Sequence, residues 1–187
     1  TREFIEGLEP LLAGKPAALE GKQLTARVEL NIEAADTPIL LAALGPKMLD
    51  LAGRRVAGTS VGQCGPRTIA DYVAPSINEA AAAVGRATPR IMALIRICVT
   101  DDHAGAYALA DTTAKRYRTV PSYKAVQDKE GLADPAELHL IGSWDRVLDG
   151  LGAYANAGVT DFRLEVAAHT NQDRQATLDA LASHLGA

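Results

Sequence analysis

The spacing of apolar and polar positions changes along the chain, and each change marks a predicted element. Phe4, Ile5, Leu8, Leu11 and Leu12 recur at helical spacing, with Gly14 placed as a C-cap, and predict an amphipathic helix. Leu19 to Leu24 reads as a turn between two extended pieces, and Ala26–Leu30 alternates well enough for a half-exposed strand. Together they predict a surface hairpin. From Asp36 to Gly53 the pattern shifts: Ile39–Leu44 is continuously apolar, as in a strand buried on both faces, and Gly45-Pro46 ends it before Lys47–Ala52 takes up a helical period. A second strand at Ala57–Val61 leads through the loop Gly62–Pro66 to a helix at Arg67–Val73. A further helical stretch covers Pro75–Val84, because Pro75 must kink or restart the helix.

Ile91–Val99 is a third strand, rich in branched residues and broken only by Arg96. Asp101 and Asp102 are candidate N-caps for a helix over His103–Tyr117, and a second helix from Pro121 carries Tyr123, Val126 and Gln127 and ends near Gly131. Leu138–Gly142 leads to Ser143, an N-cap for a helix over Trp144–Tyr154; Val159–Val166 is the fourth strand, and a last helix runs from Asn171 to Leu185. Alternating strands and helices imply parallel strands joined by right-handed crossovers. Four such units are half of a (β/α)8 barrel, a fold that needs about 250 residues when complete. An open doubly wound sheet also fits the length. Against it, no GxGxxG follows a strand, and the first clear strand comes only after about 37 residues.

With 187 residues, 48% of them hydrophobic, the chain is read as a single domain, 1–187, with a hairpin insertion at 15–32 and a second insertion at 118–142. Its formal net charge is −4, and no basic cluster is interleaved with aromatics, so nucleic acid is not an expected partner. Cys64 and Cys98 lack any CxxC or Cys/His spacing, which indicates neither a zinc site nor a disulfide framework and fits a reducing cytoplasm. The apolar runs are too short to span a bilayer, so no membrane role is expected. The chain opens with Thr1 inside a predicted helix rather than with Met, which hints at a fragment or a processed product.

The turn at Gly45-Pro46 carries the clearest chemistry. Glycine lets a ligand approach the backbone closely, and proline at the first helical position gives up only an N–H that would lack a partner. A strand thus runs into a helix N-terminus, where free N–H groups and the positive dipole end suit a phosphate. An ordinary βα turn has the same pattern.

Five strings in order, Ala43–Leu49, Gly65–Ala70, Cys98–Asp102, Pro121–Tyr123 and Ala157–Phe162, resemble the C-terminal half of the luciferase-like oxidoreductases, in particular their coenzyme F420-dependent branch. The resemblance spans nearly the whole chain. It implies a TIM-barrel fold, of which these residues supply the fifth to eighth βα units, and an F420 cofactor, with FMN as the alternative, at the C-terminal ends of the strands. It places the cofactor phosphate on the backbone at Ala42, Ala43, Leu44 and Gly45, with Lys47 adding a charge, and puts Ser60, Val61 and Gln63 near the ring. The remaining cofactor contacts belong to the first four units, so binding by these residues alone is expected to be weak.

On the last strand Asp161, Arg163 and Glu165 alternate with Phe162 and Leu164. In a closed barrel the apolar set packs on the outer helices and the charged set lines the mouth, which makes Arg163 and Glu165 candidates to face the substrate. The alternative is an internal ion pair with Arg96. His169, just past that strand, is a candidate proton donor or a plain loop histidine; the four histidines show no metal-binding spacing. The expected function is hydride transfer between a deazaflavin and a small organic substrate. A flavin-dependent monooxygenase and a non-catalytic half barrel acting through assembly are the alternatives. A half barrel leaves sheet edges uncovered, so the missing N-terminal half or a second copy in a homo-oligomer is the expected partner.

Overall fold

The structure, a computed structural model, describes residues 1–31 and 37–186; residue 32, which ends the expected hairpin insertion, Asp36, which opens the central stretch, and residue 187 lie outside them. The chain divides into two compact units, Thr1–Ile39 and Leu40–Ala187.

In the first unit, helix α1 (Arg2–Leu12) is followed by β1 (Ala17–Glu20) and β2 (Thr25–Val28), an antiparallel hairpin with Ala17 opposite Val28 and Glu20 opposite Thr25. The hairpin turn has three backbone donors with no strand partner. The Glu3 carboxylate accepts all of them, from Lys22 at 2.9 Å, Gln23 at 2.8 Å and Leu24 at 2.9 Å. These bonds, that from Gln23 first, hold the Glu3 carboxyl below its usual pKa. A side chain at Gly21 would collide with the same carboxylate, which is why the turn takes glycine there.

In the second unit the strands β3 (Leu40–Ala42), β4 (Gly58–Gly62), β5 (Arg90–Val99) and β7 (Asp161–Val166) lie side by side in that order, all parallel. Between β5 and β7 the chain forms α5 (His103–Arg118), α6 (Pro121–Glu130), a 3-10 turn (Pro135–Leu138), β6 (Leu140–Gly142) and α7 (Trp144–Asn156). The strand β6 was not expected; its three residues lie inside the predicted insertion. Ile97 pairs with both Leu140 of β6 and Val166 of β7, so these two strands lie on opposite edges of β5. Because β4 and β7 both pair with Met92–Leu94, they too take opposite edges, and β6 therefore continues the line of β4.

Successive strand residues point to opposite faces, and parallel partners share a face. One face carries Thr59, Val61, Ile91, Ala93, Ile95 and Ile97, all at most 2% exposed; each buried isoleucine contributes about 1.5–3 kcal/mol relative to an exposed one. On β7, Phe162 and Leu164 join this face by register, as expected, but Phe162 stays 40% exposed because no strand lies beyond β7 among the described residues. The expectation that the strand near Ile39–Leu44 is buried on both faces fails for the same reason: β3 has one partner strand, and its residues are half-buried or exposed.

Helices α2 (Pro46–Arg55) and α8 (Asn171–Leu185) follow β3 and β7. After β4, a single turn α3 (Pro66–Thr68) passes into a π-helical turn (Ile69–Val73) and then α4 (Ala74–Ala82). Where Pro75 is expected to kink or restart the helix, α4 starts at Ala74 directly after the π-helical turn. The wider turn brings the Ala74 N–H to the Ile69 carbonyl, and the proline, at the second position of α4, follows without ending the helix.

Candidate functional site

The chain has two strand-to-helix turns built on Gly-Pro, and they differ in what occupies them. At the first, Gly45 is extended (φ −90°, ψ 157°) and no side chain caps α2. The Met48 and Leu49 N–H groups both reach the Gly45 carbonyl at 3.0 Å, and Pro46 has no N–H, so the Lys47 N–H is the first-turn donor without a partner among the described residues. A Cβ at Gly45 would meet nothing within 4 Å among the described residues. At the second turn, Glu130 at the end of α6 fills the corresponding space, its carboxylate accepting from Arg67 N–H at 3.1 Å and Thr68 N–H at 2.7 Å. Any side chain at Gly65 would run into that carboxylate. Among the described residues, the protein places its own anion on one helix start and leaves the other open.

The sheet register sets out the remaining candidates. Ala42, Ser60, Met92 and Asp161 form one row across the four strands, on the face opposite the buried isoleucines. Gly62, Leu94 and Arg163 form the next row, and Arg96 and Glu165 the third. Val61 lies on the buried face at 2% exposure, away from Ser60. Ala43 is also 2% exposed, while Lys47 is exposed. The Leu44 carbonyl accepts from the Tyr72 hydroxyl at 3.1 Å.

Gln63 follows β4 with φ +58°, the one positive φ at a non-glycine residue among those described, a conformation that costs about 1–3 kcal/mol. The alternation of β4 would place it with Thr59 and Val61. The left-handed turn instead brings it to a small cavity that it shares with Leu94 and Arg96 from the opposite rows. Its amide oxygen accepts from Gln127 Nε2 at 2.9 Å.

The ion-pair reading of the last strand holds for one residue and not the other. Arg96, with 11% of its side chain exposed, meets Glu165 at 3.1 Å and donates to the Tyr117 hydroxyl at 3.2 Å, whereas Glu165 remains half exposed. Arg163 is exposed and makes no ion pair among the described residues. Asp161 is engaged by Arg90, whose guanidinium holds the carboxyl below its usual pKa.

His169 stands in the loop between β7 and α8, held there by two carboxylates. Its Nε2 lies 3.0 Å from Asp102 and its Nδ1 3.4 Å from Asp173, with 18% of the side chain exposed. The Asp173 contact lacks hydrogen-bond geometry. Asp102 also caps α5 through Gly105 N–H at 3.0 Å, and a Cβ at Gly105 would sit 2.5 Å from His169 Nε2. The backbone donor at Gly105, then His169, lowers the Asp102 pKa; the Thr100 and Thr170 hydroxyls lower that of Asp173. These groups line a cavity of about 380 Å³ past the C-terminal ends of β5 and β7. Acids lining this cavity oppose a phosphate, which leaves the Gly45 turn as the better anion site. Asp173 was not singled out from the sequence, since an acid in a first helical turn reads as an ordinary dipole partner.

A family model for luciferase-like monooxygenases matches residues 1–161. The chain belongs to the luciferase-like monooxygenase family. Among relatives, it is 27% identical over 167 residues to a 5,10-methylenetetrahydromethanopterin reductase of Methanolobus tindarius, a match covering 88% of this chain and 50% of the relative. The reductase of Methanopyrus kandleri is 31% identical over 105 residues, 54% of this chain and 30% of that one. This luciferase-like chain therefore spans half or less of the curated relatives it matches. Two solved structures share its fold: an F420-dependent secondary alcohol dehydrogenase with an F420-acetone adduct (TM-score 0.71, 20% identity, 87% of this chain and 54% of that one) and a monooxygenase from Streptomyces bottropensis (TM-score 0.66, 19% identity, 98% and 59%). The neighbours are TIM-barrel enzymes, and the sheet here is the parallel sheet of half such a barrel.

Proposed function

We propose that this chain is the C-terminal half of a barrel that binds coenzyme F420 and serves a hydride transfer to or from a small organic substrate. The observation that carries the reading is the open helix start at Gly45. It offers the Lys47 N–H and the dipole of a ten-residue helix to an anion, with no side chain of the described residues in the way. The lysine itself adds a positive charge beside it. Ala42 and Ser60 lie in one row from that turn across the sheet, and Gln63 stands at the end of the adjacent strand, so phosphate and ring contacts fall along one path. When bound, a deazaflavin supplies the hydride chemistry; the protein holds and orients it. Glu165, steadied by Arg96, and Arg163, without an ion pair among the described residues, are the groups that face the substrate. His169 is retained as a proton donor, with Asp102 fixing its ring.

FMN is the second reading, which also fits the luciferase-like family. The strands β3 and β7 each have one partner strand among the described residues, so further strands, from an N-terminal half or from a second copy, complete the barrel and its ring contacts. Two free, buried thiols fit a cytoplasmic setting, and no helix among the described residues is long and apolar enough to cross a membrane. Fluorescence titration with F420 and with FMN tests the reading: saturable binding of F420 in preference to FMN supports it, FMN preference supports the flavin alternative, and binding of neither favours a non-catalytic half barrel that acts through assembly.

A further inference from the structure

The end of α6 bears on both Gly-Pro turns and treats them differently. Its last residue, Glu130, fills the second turn. The residue before it, Lys129, places its ammonium 4.6 Å from the centre of the Tyr72 ring, and the Tyr72 hydroxyl donates to the Leu44 carbonyl at 3.1 Å, one residue ahead of Gly45. The insertion between β5 and β7 therefore occupies one helix start and reaches the other through a tyrosine. Tyr72 comes from the π-helical turn and is half-buried; burial raises the pKa of its hydroxyl, which keeps the proton it donates.

The bond to Leu44 fixes more than a carbonyl. A trans peptide unit is planar, with its C=O and N–H pointing to opposite sides, and no peptide bond among the described residues is cis. With the Leu44 oxygen turned onto Tyr72, the Gly45 N–H points the other way. That N–H has no acceptor among the described residues. Gly45 is exposed, and an added Cβ would meet nothing within 4 Å among the described residues, so there is room beside it for a ligand. The Lys47 N–H, two residues on, is likewise without a partner among them. The turn thus offers two backbone donors, and a side chain from the following βα unit sets the direction of the first. Water alone can satisfy an exposed turn; a tyrosine that fixes its carbonyl preorganises its amide.

We infer that Tyr72, braced by Lys129, is a positioning residue that aims the Gly45 N–H so that it and the Lys47 N–H donate together to one phosphate group of the ligand. The inference rests on the cofactor reading above and deepens it: the anion is held by two oriented amides, and the insertion keeps the first of them in place. Tyr72 itself touches no ligand and acts through the peptide it holds. The same helix end thereby closes one Gly-Pro turn with its own carboxylate and shapes the other for a foreign anion.

The test follows the Gly45 and Lys47 amide signals by NMR as inorganic phosphate is added, beside F420 fluorescence titration, with thermal melts to establish folding. Both amides should shift saturably in the unaltered protein. In Tyr72→Phe, which keeps the ring and removes the donor, the Gly45 shift should largely disappear while that of Lys47 persists, and F420 affinity should fall by about threefold or more. Lys129→Gln, at an exposed position, should diminish the Gly45 shift as well and covers the case in which Tyr72→Phe fails to fold. A tyrosine with only a structural role would alter the melt and leave the Gly45 shift as it was. An undiminished Gly45 shift in either variant, an F420 affinity unchanged in Tyr72→Phe, or no Gly45 shift in the unaltered protein overturns the inference; F420 binding by the unaltered protein then leaves the cofactor reading standing. Absence of F420 and FMN binding by the unaltered protein overturns both.

Discussion

The Glu130 carboxylate accepts the Thr68 N–H at 2.7 Å, across 62 residues of sequence. The bond ties the end of α6 to the helix start after β4 and uses the dipole end that a ligand anion would otherwise meet. Glu130→Ala should remove two charge-assisted bonds and destabilise the protein by about 1–2 kcal/mol, comparable to loss of an N-cap. Urea unfolding checks this. Loss smaller than about 0.3 kcal/mol would mean that solvent caps the turn equally well.

At the other Gly-Pro turn the same substitution logic runs in reverse. A Cβ at Gly45 meets nothing within 4 Å among the described residues, so Gly45→Asp is expected to leave folding nearly unchanged while placing a negative charge at the helix start. F420 affinity should fall tenfold or more. An affinity within twofold of the unaltered protein would show that the phosphate does not sit there.

His139 is buried, with Nδ1 3.1 Å from the Ala136 carbonyl and Nε2 unpartnered among the described residues. Burial lowers its pKa from 6.5, and the Ala136 bond opposes that shift without reversing it. The unfolded chain therefore takes up this proton at a higher pH than the folded chain does. Its contribution to stability is complete above pH 6.5 and is lost as the pH falls from there through the folded value. Urea midpoints at pH 7.5 and 5.5 should show a drop that His139→Gln reduces; an equal drop in both proteins would assign the effect to other groups.

Burial, and secondarily the charge of Glu130, pushes the Cys64 thiol up to about 12. Burial raises Cys98 as well. Thiolate is the reactive form, so neither cysteine should react with a disulfide reagent at pH 8 until the protein unfolds. Two equivalents released on adding denaturant, and almost none before, is the expected result.

Much of the fold was legible because strand and helix periods are local. Ile91–Val99 announces a buried strand by its own composition, and Ser143 and Thr170 cap the helices that follow them through their own side chains. What escaped depends on distant partners. Strand β6 is three residues long and is a strand only because Ile97–Val99 pair with it. The same holds for the site. Ala42 and Ser60 are implied by the family resemblance, and the register then sets them in one row, but nothing near Gln63 in sequence announces Gln127, 64 residues away. Nor does the sequence reveal that Glu130 fills one of two similar turns.

The π-helical turn at Ile69–Val73 has its own consequence for the helix it interrupts. The wider turn takes up one residue more than a regular turn holds, so the side chains after it keep nearly the phase that a regular helix one residue shorter would give them. Ile77 and Ala80 meet Gly53 of α2 in that phase, with the Ala80 Cβ only 2.8 Å from where a Gly53 side chain would begin. Excision of a single residue from this turn would thus tighten the coil to a regular one and leave the downstream helix in its seat, whereas the same excision within α4 would rotate it out.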